Sequence, residues 1–282
     1  MPLGLQTVST IEALRFRINA WKMQSLRTAL VPTMGALHEG HLELVRKGVR
    51  LADRVVVSIF INPKQFAANE DLDTYPRDIE GDLDLLAKAG AHVVFVPDGS
   101  EMYPTGFSTT VSLAGPAKAG LEDRFRPDFF DGVTTVVAKL FNQAACDYAM
   151  FGEKDYQQMM VVTQMARDLN IPTAVIPVET VRSDDGLALS SRNAYLSDRE
   201  RQIAPVLHQT LQSVANEIRN GVEPQQATTR AYAELENAGF KPDYFEARHA
   251  NTLSDLKAPS EPIRLIAAVW LGKTRLLDNI AV

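Results

Sequence analysis

The sequence predicts an α/β fold built on a parallel sheet, with a smaller α+β part at its C-terminal end. Three observations lead there. Strand-like and helical runs alternate up to about residue 181. Several of the strand runs are unbroken Val/Ile/Phe stretches, as expected of parallel strands covered on both faces. After Ser197 the order changes to helical segments followed by extended runs.

Residues 28–32 are the first strand-like run. Residues 41–52 follow with apolar side chains at helical spacing, Leu42, Leu44, Val45, Val49 and Leu51. The next strand run is 54–61, closed by Pro63, which cannot donate to a ladder. Helical periodicity returns at 79–89, 133–143 and 156–169, and strand runs at 92–96, 147–151 and 173–178. Ser197-Asp198-Arg199-Glu200 is a capping box that opens a helix expected to reach about residue 219. A second helix is expected at 224–238, then extended, antiparallel runs at 244–248, 264–271 and 275–280. The change of character places a boundary within 182–187, dividing a domain of residues 1–183 from one of residues 184–282.

Composition narrows the function classes. A chain of 282 residues with 45% hydrophobic and 23% charged content is ordinary for a globular protein with a substantial core. A net charge of −6 argues against a general nucleic-acid binder. The single cysteine, Cys146, cannot form an internal disulfide and is expected to be a small buried apolar residue. No apolar stretch approaches the length of a membrane span and no signal-peptide core is seen, so a cytoplasmic setting without membrane attachment is expected.

His38-Glu39-Gly40-His41 is the most informative segment. It follows the first strand run through Pro32-Thr33-Met34-Gly35-Ala36-Leu37 and opens the helix after it, at the end of a parallel strand where ligands bind. A helix start offers free N–H groups and partial positive charge to phosphate, and two imidazoles add donors that can follow charge onto phosphoryl oxygens. A capped helix start with solvated imidazoles is the plain alternative. A metal site fits less well, since the metalloprotease pattern spaces its histidines four apart and these are three apart.

Three further clusters fall at comparable places. Asn62 and Gln65, after the second strand run, can offer amides to a hydroxyl-bearing or carboxylate ligand. Gly152-Glu153-Lys154-Asp155 follows the strand run at 147–151: Lys154 suits polyphosphate, and Asp155 could hold Mg²⁺ directly or through water. One of Gln157 and Gln158 is expected to face the cleft. Ser190-Ser191-Arg192 makes a reasonable phosphate clamp. Each cluster alone is equally an ordinary loop, a salt-bridged turn or a helix cap.

Residues 32–41, 57–66, 70–77, 151–158 and 190–193, with Thr274-Arg275-Leu276-Leu277-Asp278-Asn279, together resemble the pantothenate synthetase (pantoate–β-alanine ligase) family in order and spacing over the whole chain. The resemblance implies a Rossmann-like parallel sheet of the nucleotidyltransferase type, a C-terminal α+β lid and a homodimer. It implies that (R)-pantoate and Mg·ATP form a pantoyl adenylate with loss of diphosphate, and that the amine of β-alanine then gives pantothenate and AMP. By position, Met34, Gly35, Ala36, Leu37, His38, Glu39, Gly40 and His41 match the ATP loop, with His41 at the residue assigned as proton donor. Gln65 and Gln158 match the pantoate-binding glutamines, with Gln65 also beside β-alanine. Gly152, Glu153, Lys154, Asp155, Val181, Leu189, Ser190, Ser191 and Arg192 match the other ATP contacts. Ala67-Ala68 replaces the usual Gly-Pro, and Phe129 stands where a histidine is common.

The same chemistry can be put in physical terms. A carboxylate attacking an α-phosphate approaches a negative centre, so the protein must neutralise charge and align the reactants. His38 and His41 would donate to phosphoryl oxygens, while Lys154, Ser190, Ser191 and Arg192 would hold the departing diphosphate with Mg²⁺. Two rivals stay open: a nucleotidyltransferase that leaves the nucleotide on its product, and a catalytically silent nucleotide-binding or tRNA-associated module.

Overall fold

Strands that are apolar on both sides need cover on both faces, and the sheet here receives it. The computed structural model describes residues 4–67, 70, 72–258 and 260–282, so Ala68 and Asp71 of the segments above lie outside the described residues. In chain order the first part comprises β1 (Gln6–Val8), α1 (Ile11–Lys22), β2 (Thr28–Thr33), α2 (Glu39–Leu51), β3 (Arg54–Ile59), α3 (Ile79–Ala89) and β4 (Val93–Phe95). It continues through α4 (Gly99–Met102), α5 (Glu122–Phe125), α6 (Phe129–Ala144), β5 (Tyr148–Gly152), α7 (Tyr156–Asp168) and β6 (Ala174–Val178). These six strands form one parallel sheet in the order β1-β4-β3-β2-β5-β6.

Period-2 alternation divides the strand residues between two layers. Leu30, Val56, Val93, Ala149 and Phe151 pack against α1, α6 and α7, while Ala29, Val31, Val55, Val57, Val94 and Met150 pack on the other face with α2 and α3. Each of these side chains is buried, and a fully buried Val, Leu or Phe contributes roughly 1.5–3 kcal/mol of hydrophobic free energy. The sheet is therefore a stiff platform for the loops at its carboxyl ends.

The C-terminal part comprises α8 (Asp198–Ile203), α9 (Val206–Arg219), α10 (Pro224–Asn237), β7 (Lys241–His249), β8 (Ile263–Leu271) and β9 (Thr274–Ala281). Its strands form an antiparallel sheet β7-β8-β9, covered by α9 and α10 through Leu207, Leu211, Val214, Ala231 and Leu235.

Beyond shifts of one or two residues and the short α4 and α5, the differences from the sequence expectation have local reasons. β1 and α1 precede the first expected strand: β1 has three residues at the sheet edge, too short to show alternation, and α1 is capped by the Thr10 hydroxyl and buries Leu14, Ile18 and Trp21. α6 starts at Phe129, four residues before the expected 133, because Gly132 lies inside the helix. The helix expected at 198–219 is two helices, since Pro205 has no N–H to carry the ladder across. β7 begins at Lys241, ahead of a register shift between Pro242 and Tyr244 that breaks the pattern at its start.

Candidate active site

A cavity opens at the carboxyl ends of β2, β3, β5 and β6. Because β3 and β5 flank β2 on opposite sides, this is the switch point of the sheet, where open α/β sheets bind ligands.

The histidine loop forms its first wall. After β2 the chain turns through Gly35 (φ +85°) and Ala36 (φ +53°), a left-handed pair that only glycine adopts without strain. The buried carboxylate of Asp82, in the first turn of α3, compensates by accepting from the Ala36 N–H at 2.9 Å and the Leu37 N–H at 2.8 Å. His38 then caps α2. Its Nδ1 accepts from the Gly40 N–H at 3.1 Å, and Nδ1 of His41 accepts from the His38 N–H at 3.4 Å. The two imidazoles thus play the reciprocal parts of Ser and Glu in a capping box. The His38 ring folds so closely over Gly40 that a Cβ there would lie 2.8 Å from its Cε1.

This geometry decides the protonation of both rings. A nitrogen that accepts a hydrogen bond from the backbone carries no proton, so each neutral ring bears its proton on Nε2. Burial, reinforced by the Lys154 ammonium, pushes the His38 pKa down to about 4 against a weaker opposing effect of Asp155. Burial, then His38 and Lys154, push that of His41 down to about 3. At neutral pH the cavity therefore meets two uncharged imidazoles, 4.1 Å apart between ring centroids, each with one N–H to give. The helix-cap alternative describes what Nδ1 does, but both rings line the cavity.

The second wall carries amides. Asn62 is buried, with Nδ2 donating to the Gly132 carbonyl and to Gln65 Oε1, both at 3.1 Å. Gln65 Nε2 points toward Met34 Sδ at 2.9 Å. Gly132 permits this approach, because a Cβ there would lie 2.1 Å from the Lys64 carbonyl oxygen. Arg126 donates to the Gln65 carbonyl at 3.0 Å and to both Glu70 oxygens at 2.6 and 2.7 Å, with its guanidinium 3.7 Å from the centroid of the Phe129 ring. Across the cavity, Gln157 is committed to the Glu122 N–H, the Pro116 carbonyl and Asp123. Both Gln157 and Gln158 line the cavity, where one was expected, and Gln158 has no side-chain hydrogen-bond partner among the described residues.

The third wall is cationic. Lys154 lies in a 3-10 turn (Glu153–Asp155) after β5, with its Nζ 3.6 Å from Asp155 Oδ1. That turn is held by Asn279 of β9, whose Nδ2 donates to the carbonyls of Glu153 and Lys154 at 2.8 and 2.9 Å. Ser190 caps a 3-10 turn (Ser191–Tyr195), and the Ser191 hydroxyl meets that of buried Tyr75 at 3.2 Å. The Arg192 guanidinium lies 5.9 Å from the centroid of the same Tyr75 ring.

Of the residues singled out from sequence, the cavity gathers Met34, His38, Gly40, His41, Asn62, Gln65, Gly152, Lys154, Asp155, Gln158, Val181, Leu189, Ser190, Ser191 and Arg192. Gly35, Ala36, Leu37, Glu39 and Glu153 do not line it. Glu39 is exposed and paired with Arg46, and Glu153 binds Arg264 at 3.0 Å. Sequence reasoning missed Asp82 and Asn279 as supports of the loops and Tyr103 behind Asn62. A carboxylate in the first turn of a helix reads as an ordinary cap, so Asp82 gave no separate signal.

A parallel Rossmann-type sheet with paired imidazole donors, amides and cations around its switch point defines an α/β enzyme of the nucleotide-binding class. The family model for pantoate-beta-alanine ligase matches residues 6–281. A pantothenate synthetase from Bradyrhizobium sp. (strain BTAi1) is 52% identical over 274 residues, 97% of each chain. The solved pantothenate synthetase of Thermus thermophilus superposes with a TM-score of 0.90 at 43% identity, covering 98% of both chains. That of Francisella tularensis, complexed with beta-gamma ATP and β-alanine, gives 0.77 at 31% identity over 98% of this chain and 97% of its own. The chain belongs to the pantoate–β-alanine ligase family and is an enzyme of that kind.

Proposed function

We propose that this cavity condenses (R)-pantoate with β-alanine through a pantoyl adenylate, releasing diphosphate and then AMP. The observation that carries the reading is the pairing of two Nε2–H donors at a helix start with the Asn62–Gln65 amides in one cavity. The Francisella tularensis relative, described with beta-gamma ATP and β-alanine, supports ATP and β-alanine as two of the substrates.

In the first step a pantoate carboxylate oxygen attacks the α-phosphorus and the bond to the β-phosphate oxygen breaks, diphosphate leaving with the electron pair. His38 and His41 donate to the phosphoryl oxygens as negative charge grows there. Loss of one such donor costs roughly 3–4 kcal/mol of transition-state stabilisation. Both rings are neutral before the nucleotide binds, so each meets it with an Nε2–H to donate. Lys154, Ser190, Ser191 and Arg192 receive the diphosphate. Gln65, Gln158 and Asn62 orient the pantoate. In the second step the neutral amine of β-alanine attacks the acyl carbon, the bond to the AMP phosphate oxygen breaks, and the amine sheds a proton.

Mg²⁺, carried by ATP, would supply charge neutralisation at the phosphates. Among the described residues no three His, Cys, Asp or Glu side chains converge as a ligand set, and Asp155 is the carboxylate on the cationic wall that would face the metal. We assign residues 1–183 to a substrate-binding domain and 184–282 to a lid, because Leu189, Ile266, Leu277 and Asp278 close the cavity from that side. Homodimerisation and a cytoplasmic setting belong to the same reading.

The test is pantoate-dependent exchange of diphosphate into ATP without β-alanine. Exchange is expected; its absence with active protein overturns the adenylate. Free AMP and an amide product separate this reading from a nucleotidyltransferase that keeps its nucleotide on the product. Gln158→Ala is expected to raise the KM for pantoate with little change in that for ATP; a shift confined to ATP would place the pantoate pocket elsewhere.

A further inference from the structure

We infer that Tyr103 is a positioning residue for the acid substrate: its hydroxyl acts through Asn62 on Gln65 and holds the Gln65 amide with its NH₂ group toward the cavity. The inference rests on the substrate assignment above and concerns a residue that does not itself line the cavity.

The chain of hydrogen bonds is directional. The Tyr103 hydroxyl donates to Asn62 Oδ1 at 2.8 Å, and the Lys64 backbone N–H donates to the same atom at 3.3 Å. On the opposite side of that amide, Nδ2 donates to the Gly132 carbonyl and to Gln65 Oε1, both at 3.1 Å. The Lys64 N–H can only donate and the Gly132 carbonyl can only accept, which sets the sense of the Asn62 amide, and the Tyr103 hydroxyl, at the shortest contact to Oδ1, holds it firmly in that sense. The Asn62 NH₂ then requires an oxygen opposite it, which turns the Gln65 carbonyl into the wall and the Gln65 NH₂ toward Met34 Sδ and the cavity. The cavity thereby offers a donor, which suits the carboxylate or hydroxyl oxygens of an acid and repels an ammonium group.

Tyr103 is suited to the task. Its ring is wedged against Phe60 and Phe107 at centroid distances of 6.1 and 5.1 Å, with the Lys64 and Lys139 ammonium groups 5.3 and 5.9 Å from its centroid. Burial pushes the hydroxyl pKa up to about 12, so it stays a donor throughout the working range. Asn62 is 1% exposed, which leaves no bulk water to replace a lost donor.

The test compares the wild-type enzyme with Tyr103→Phe, which keeps the ring and removes only the hydroxyl. The apparent KM for pantoate in the exchange assay is expected to rise roughly fivefold, the loss of one neutral hydrogen bond, with the KM for ATP and the kcat within about twofold. In a Gln65→Ala background the same change is expected to leave kcat/KM for pantoate unaltered, since the group being oriented is gone. An unchanged pantoate KM in Tyr103→Phe overturns the relay. So does an equal factor with and without Gln65, or a uniform fall of kcat with a lowered Tm. Wild-type enzyme without pantoate-dependent exchange overturns the substrate assignment, and the relay with it.

Discussion

His38 and His41 show how a backbone contact sets side-chain chemistry. Each gives Nδ1 to a main-chain N–H, so each can only present Nε2–H to a ligand, and burial keeps both uncharged. His41→Ala removes one donor and is expected to lower pantoate-dependent exchange by about 10²–10³ with a native circular-dichroism spectrum; near-normal exchange would remove His41 from the mechanism. The depressed pKa values also bear on stability. A histidine near 6.5 in the unfolded chain takes up a proton as pH falls through that value, while the folded rings at about 4 and about 3 do not. The unfolded state then binds more protons, and stability declines as pH falls from 6.5 toward 4. Denaturant titrations across that window are expected to show a shallower decline in a His38→Gln/His41→Gln variant. His92, also lowered by burial and by Arg54, supplies part of what is left. An identical decline in both proteins would show that the two rings are not held neutral.

At the scale of elements, α6 and the 3-10 turn at Pro63–Gln65 approach so closely that Gly132 has no room for a methyl group. Helix propensity alone favours Gly132→Ala by about 1 kcal/mol, whereas a Cβ standing 2.1 Å from the Lys64 carbonyl oxygen must push the helix and turn apart. Overpacking of this kind costs about 1–3 kcal/mol, and here the displaced atom is backbone, so sterics outweigh propensity. The variant is expected to melt lower in a calorimetric scan and to show a raised pantoate KM, because Asn62 and Gln65 ride on that turn. A higher Tm would mean that the turn yields without cost.

For the whole molecule, the two sheets are joined through buried charge. Glu122 of α5 accepts from the Tyr244 hydroxyl of β7 and from Arg275 of β9, each at 2.8 Å, and Arg275 also binds Asp243 at 2.7 Å. Arg264 and Asn279 tie β8 and β9 to the turn that carries Lys154. Breaking a buried pair on one side costs about 3–5 kcal/mol. Glu122→Ala is therefore expected to lower Tm by roughly 5–8 °C, measured by scanning calorimetry, with a larger proportional loss of exchange activity than of ATP binding. A Tm within about 2 °C of wild type would mean that apolar packing alone holds the sheets together.

The parallel strands, the helices between them and the histidine turn were legible in the sequence because their signals are local: unbroken Val/Ile/Phe runs, apolar spacing, a capping pattern, two histidines after a strand. The family resemblance and the residue clusters at the strand ends came from the same kind of short-range pattern. The three-residue β1, the early start of α6 and the break at Pro205 were lost where that pattern is too short or is interrupted by a glycine or proline. What tertiary structure alone decided is which groups support the site and in what state. Asp82 reaches the histidine loop across 46 residues of chain and Tyr103 reaches Asn62 across 41, so no window of sequence contains both partners. The neutral charge of His38 and His41, the outward NH₂ of Gln65 and the steric need for Gly132 likewise arise from burial and from contacts between distant segments. Residue types can be read in order along the chain, but the desolvation and hydrogen-bond direction that set their chemistry exist only once the chain has packed.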